Sequence, residues 1–193
     1  VNEIEEKKVI EANNFIITDE HLGEGGPKQK YSRNVEAIRL LYQLENEDRK
    51  ATEEEQEVLS QYVGWGGLPD VFDSQKEAWA KEYEELKELL PEREYEMARA
   101  STLNAHYTSP VVIEVMYKAL AQMGFTSGNI LEPSMGIGNF FGMLPDEMRN
   151  SRLYGIELDS ISGRIAKKLY PKADITIAGF ETTDRRDFYD IAI

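Results

Sequence analysis

Apolar residues in the first half of the chain recur at steps of three and four, the spacing of a single buried helix face. Val35, Ile38, Leu41 and Tyr42 predict a helix from about Asn34 to Glu47, and Trp79, Tyr83, Leu86 and Leu90 predict another that stops at Pro91. Thr52-Glu53-Glu54-Glu55 and Ser74-Gln75-Lys76-Glu77 both fit the capping box, in which a hydroxyl and a carboxylate satisfy free amides at a helix start. Two glycine-rich turns, Gly23-Glu24-Gly25-Gly26-Pro27 and Gly64-Trp65-Gly66-Gly67-Leu68-Pro69, separate these helices without a shared surrounding period, so they are not repeats. Trp65 suits a buried anchor between helices or a platform for a stacked base. Lys28, Lys30 and Arg33 suit a solvated basic turn or phosphate contacts.

The second half alternates short apolar runs with longer helical ones. Ser109-Pro110 starts a helix whose Ile113, Met116, Tyr117 and Leu120 form an apolar face up to Gly124. Strands are predicted at Asn129–Glu132, Leu153–Leu158, Ile175–Ala178 and Tyr189–Ile193. Helices are predicted at Phe140–Leu144 and along Ile161, Ile165 and Leu169, the last stopping at Pro171. Such alternation predicts βαβ units: an α/β, Rossmann-like parallel sheet of about four strands, preceded by an α-helical N-terminal region. The change of pattern divides the chain into residues 1–104 and 105–193.

Charge follows the same division. Residues 1–100 carry 25 acidic and 13 basic side chains, whereas residues 101–193 carry 11 and 9, within a net charge of −14. No basic stripe is available to hold a phosphate backbone unaided, so a nucleic-acid partner must be held largely by other parts. The absence of cysteine excludes disulfides, thiolate metal sites and cysteine nucleophiles, and two histidines far apart supply neither a metal site nor a Ser/His/Asp triad. No apolar run approaches the ~18–20 residues of a membrane span, and the N-terminus lacks a secretory pattern, which predicts a cytoplasmic protein without membrane contact. A start at Val1 and a strand-like Asp190-Ile191-Ala192-Ile193 at the other end read as a fragment of a longer protein.

The sharpest chemical signal is Glu132-Pro133-Ser134-Met135-Gly136-Ile137-Gly138-Asn139-Phe140, where a carboxylate ends a strand and two glycines then turn the backbone tightly. In a nicotinamide fingerprint the glycines follow the strand almost directly. Here Glu132 intervenes, which favours a ligand with a cationic group at the strand end, such as the amino group of S-adenosylmethionine. A plain strand-to-helix turn is the alternative. Glu157 ends the next strand 19 residues beyond Gly138, where a carboxylate can accept hydrogen bonds from a ribose diol or stand in solvent without a ligand. Asp159 suits a helix cap at least as well as a ligand contact.

Glu132-Pro133-Ser134-x-Gly136-x-Gly138-Asn139-Phe140 and Gly155-Ile156-Glu157-Leu158-Asp159 resemble motifs one and two of the adenine-N6 DNA methyltransferases. Upstream, His106-Tyr107-Thr108-Ser109-Pro110 resembles the Tyr-Thr-Pro segment of those enzymes, whose threonine meets the methionine carboxylate. The resemblance covers about Ala105–Ile193. It implies S-adenosylmethionine as cofactor, with Tyr107, Thr108, Glu132, Pro133, Ser134, Gly136, Gly138, Asn139, Phe140, Glu157, Leu158 and Phe180 as its binding residues and no metal. In the third motif Phe180 matches the aromatic expected to pack on adenine, but Gly179 stands where the family has an acid, and Glu181 is two residues late. The family's catalytic D/N-P-P-Y/F motif follows the fourth strand, so catalytic residues are expected beyond Ile193 and the chain by itself is expected to be inactive. In the intact protein, adenine N6 would attack the sulfonium methyl directly.

More loosely, the two glycine-rich turns with their flanks resemble segments of very large proteins of bacterial conjugative elements, plasmids and phages. In that family an N6-methylase-like domain precedes an Snf2-like helicase. The implied partners are DNA, held by other parts of the parent protein, and a fused C-terminal helicase. Two alternatives stand beside this reading: a degenerate or truncated methylase-like module acting as a binding scaffold, and an NAD-linked oxidoreductase.

Overall fold

A computed structural model describes residues 12–103 and 107–193; His106 and the expected boundary at residues 104–105 lie outside the described residues. In the C-terminal half, β1 (Asn129–Glu132), β2 (Arg152–Glu157), β3 (Asp174–Ile177) and β4 (Ile191–Ala192) form one parallel sheet in the order β3-β2-β1-β4. Glu132 pairs in register with Gly155, and Glu157 with Ile177. The chain steps outward from β1 to β2 and β3, then returns to pair β4 on the other side of β1. This order makes the carboxyl end of β1 a topological switch point, the place where open α/β sheets leave a crevice. The architecture is therefore the predicted Rossmann-like α/β sheet behind a helical region.

The helical region comprises α1 (Pro27–Asn46), α2 (Glu53–Ser60), α3 (Ala80–Leu89) and α4 (Glu92–Ser101). α1 begins seven residues before the predicted Asn34, because Pro27 at its first position sets the helical φ and Gly26 supplies the extended cap. The first capping box forms at Thr52 and Glu55. The second does not: Asp73 rather than Ser74 accepts from a backbone amide, that of Gln75, and Glu77–Trp79 is a 3-10 turn leading into α3. Trp79 is thereby placed edge-on to Tyr31, next to Trp65, which is buried as a helix anchor. Lys28 lies over the Trp79 ring and pairs with Glu82 at 2.7 Å, so it belongs to this packing.

α5 (Pro110–Gln122) leads to β1 and buries Ile113 and Tyr117. The connection from β1 to β2 holds only the single turn α6 (Asn139–Gly142), while α7 (Ser160–Leu169) joins β2 to β3 and buries Ile161, Ile165 and Leu169 as expected. Asp159 caps α7 by accepting from the Ser162 amide at 2.7 Å.

Apolar packing runs without a break from the helical region into the sheet. Three polar clamps reinforce the join. Arg164 of α7 reaches Glu45 of α1 at 2.8 Å and also Glu94 of α4, whose other oxygen accepts from Tyr42 at 2.6 Å. Lys168 donates to the Arg49 carbonyl at 2.6 Å. The buried Gln56 amide donates to the carbonyls of Asn13, Lys168 and Leu169 at 3.0–3.2 Å. Gln56→Leu fills similar volume but removes the side-chain donor from these carbonyls, of which, among the described residues, Leu169 alone keeps a backbone partner, the Phe15 amide at 2.8 Å, and should lower the unfolding free energy by about 1–3 kcal/mol in a urea melt.

Candidate functional site

The loop after β1 is shaped by two hydrogen bonds and two glycines. Met135 N–H donates to the Ile156 carbonyl at 3.1 Å, which ties the loop to β2, and Gly138 N–H donates back to Met135 at 2.7 Å. Gly136 and Gly138 have φ of 56° and 87°, left-handed values that cost other residues energy. A Cβ at Gly136 would lie 2.7 Å from the Tyr107 ring, and one at Gly138 would lie 2.6 Å from the Tyr170 ring. The loop therefore turns tightly between two aromatic side chains.

Glu157, at the end of β2, completes the loop. One carboxylate oxygen accepts from Gly136 N–H at 2.6 Å and the other from Asp159 N–H at 2.7 Å. Burial pushes the Glu157 carboxyl above its ordinary range, opposed by these amide hydrogen bonds. Glu132, the last residue of β1, has no such support. It is 5% exposed, and its Oε2 has no partner among the described residues. Burial and then the neighbouring Glu157 charge hold its carboxyl well above the usual glutamate value.

Both carboxylates line a cavity of about 880 Å³ at the carboxyl edge of the sheet, within the ~300–1,000 Å³ typical of ligand pockets. Of the residues singled out by sequence, Tyr107, Thr108, Glu132, Pro133, Ser134, Gly136, Asn139, Phe140, Glu157 and Leu158 line it together. Asn139 is buried with its Oδ1 unpartnered, and the Phe140 carbonyl accepts from the buried Tyr117 hydroxyl at 2.7 Å. Gly138 is not on the wall; it is buried behind it against Tyr170. Phe180 also does not reach the cavity, for it sits on the turn after β3 and is 50% exposed.

Sequence reasoning missed one side of the cavity. Tyr62 and Gly64 from the second glycine-rich turn, Met97, Ala100 and Ser101 from α4, and Ser162 from α7 all line it. The spacing of 97, 100 and 101 marks one helix face, but α4 itself was not predicted, and that face leaves Ala100 exposed rather than in the core.

No protein-family profile and no solved structure matches the sequence. Among curated proteins, the Defense against restriction protein B of Escherichia phage P1 is 24% identical over 159 residues, which are 82% of this chain and 6% of that protein. The Type II methyltransferase M.CvrRI of Paramecium bursaria Chlorella virus XZ-6E is 30% identical over 87 residues, 45% of this chain and 22% of the enzyme. The chain thus spans a small part of each of these relatives. A methylase-like relationship is what these distant similarities support. Among the described residues, no helix is long and apolar enough to cross a membrane, and no cluster of three potential metal-ligating side chains occurs.

Gly138→Ala combines an unfavourable φ with a collision against Tyr170, and should destabilise the fold by more than about 1 kcal/mol in denaturant titration. The raised carboxyl of Glu132 means that the folded chain holds its proton more tightly than the unfolded one. The associated stability is complete below the ordinary value of 4.5 and is lost as pH rises through the raised value. Glu132→Gln cannot ionise. Its melting temperature should exceed that of the wild type by a margin that grows with pH above 4.5; a margin that shrinks would refute the assignment.

Proposed function

We propose that this chain binds S-adenosylmethionine in the cavity at the end of β1 and β2, as part of a protein that methylates adenine N6 in DNA. One observation carries the reading: Glu132, at the end of β1, lines a ligand-sized cavity and keeps a buried carboxylate oxygen without a partner. Such an atom is costly unless a cation or donor meets it. The amino group of the cofactor is a cation of that kind. Bound there, the cofactor supplies an electrophilic methyl group on its sulfonium.

The chain's own residues would hold it. Glu132 accepts from the amino group, and Thr108, following the family resemblance, donates to the carboxylate. Glu157 has lone pairs left to accept from the ribose diol while it keeps the Gly136 and Asp159 amides in place. Tyr107, Gly136 and Gly138 set the curvature of the loop, and Pro133, Ser134, Asn139, Phe140 and Leu158 shape the rest of the wall. A dinucleotide fits less well. Its pyrophosphate would face two carboxylates, and one of the loop amides that could receive it already donates to Glu157.

A net charge of −14 is unsuited to gripping DNA, so we assign DNA contact, target choice and a fused helicase to other parts of a longer protein. We likewise take residues 1–104 as a helical region and 105–193 as the cofactor-binding part. A second reading, a methylase-like module that binds without transferring methyl groups, is favoured by Gly179 in place of an acid and by Phe180 lying outside the cavity.

Calorimetric titration with S-adenosylhomocysteine, and with NAD in parallel, tests the assignment. S-adenosylhomocysteine should bind. Its amino group favours the ionised form of Glu132, so binding should release a proton, visible as a dependence of the heat on buffer ionisation enthalpy. Glu132→Gln should abolish that dependence and weaken binding by about 1–3 kcal/mol. Binding of NAD alone, or of neither ligand, would overturn the proposal.

A further inference from the structure

The cavity is closed on one side by a helix that lies outside the sheet. α4 is fastened beside the start of α7: Glu94 receives Arg164, and Ser160 Oγ donates to Glu94 at 3.4 Å. Ser160 follows directly on Glu157-Leu158-Asp159, so α4 lies next to the end of β2, where the carboxylate expected to meet the ribose stands. Met97 and Ser101 continue the face of α4 that carries Glu94, at steps of three and four. At about 1.5 Å per residue this face extends roughly 10 Å from Glu94 to Ser101, and Met97, Ala100 and Ser101 all line the cavity.

This wall differs in chemistry from the floor. The floor presents Glu132 and Glu157, whereas α4 presents a thioether, a methyl group and a hydroxyl already bonded to the Ala98 carbonyl at 2.8 Å. A polarisable, adaptable Met97 beside a small Ala100 suits the face of a flat aromatic ring. Phe180 is half exposed and outside the cavity.

Building on the cofactor assignment above, we propose that the adenine ring of the bound cofactor packs against Met97 and Ala100 of α4, and not on Phe180. The helical region is then part of the binding site, and Arg164, through Glu94, is the residue that positions it. Neither α4 nor its docking follows from the sequence motifs that define the cofactor loop.

The experiment is S-adenosylhomocysteine titration of the 193-residue chain and of A100W, M97A and F180A, each checked for native circular dichroism. A100W fills the wall and should weaken binding by about tenfold or more. M97A, which adds no bulk, should weaken it by about three- to tenfold, and F180A should stay within about twofold of the wild type. With methyl-labelled methionine, the Met97 signal, identified by its loss in M97A, should move upfield on addition of S-adenosylhomocysteine under the adenine ring current. If A100W fails to fold, M97A and the Met97 signal decide. A wild type that binds while M97A binds equally well and the Met97 signal stays still overturns this proposal alone, as does a tenfold loss in F180A. A wild type that does not bind overturns the cofactor assignment and this proposal together.

Discussion

Two carboxylates stand close together at the carboxyl edge of the sheet, in a cleft that excludes much of the surrounding water, and the structure treats them differently. The charge of Glu157 is stabilised in place, because the amides of Gly136 and Asp159 donate to its two oxygens. That arrangement fixes the glycine loop over β2 and the start of α7 at once. Glu132 receives nothing comparable, and the nearby charge of Glu157 raises the cost of ionising it. The loop, the helix start and the cavity are all consistent with holding one carboxylate quiet and leaving the other available. Stability and ligand affinity then pull in opposite directions at a single side chain, a conflict common at functional sites.

The helical region takes part in this site as well as in the core. Its apolar faces merge with those of the sheet, and its polar clamps converge on α7, the helix that begins where Glu157 ends. Tyr62 and the exposed face of α4 consequently reach a cavity whose floor is made by the strands. A boundary placed by charge and periodicity near residues 104–105 marks a change of pattern in the chain, while packing and the cavity wall continue across it.

Much of the fold was legible in the sequence because period and punctuation agreed. The strand ending in Glu132, α7 with its Asp159 cap, the Thr52 box and the buried Trp65 are local signals that tertiary packing did not override. The misses have physical causes. Ser74 offered a plausible box, but no side chain caps the Glu77–Trp79 turn, Asp73 accepts from the Gln75 amide just before it, and the burial of Trp79 goes with a 3-10 turn there instead. α4 went unnoticed because its cavity face is not an apolar stripe, and its position depends on Arg164, 70 residues from Glu94 in sequence. Phe180 matched a motif by position, yet the short turn after β3 directs it away from the cavity. Sequence spacing identifies which residues can share a loop; it does not identify which distant helix will cover them.

The clamps between the two halves join residues far apart along the chain. Gln56 meets Lys168 across 112 positions, and Arg164 meets Glu45 across 119. Loops of that length close slowly, and a chain made from its N-terminus presents α1 and α2 well before α7 exists. During synthesis, Leu41, Leu44 and Leu59 must therefore wait in solvent, or against one another, until the sheet half has left the ribosome. The acidic surface of the first hundred residues, which carry nearly twice as many acidic as basic side chains, gives that waiting intermediate the mutual repulsion that keeps nascent chains apart.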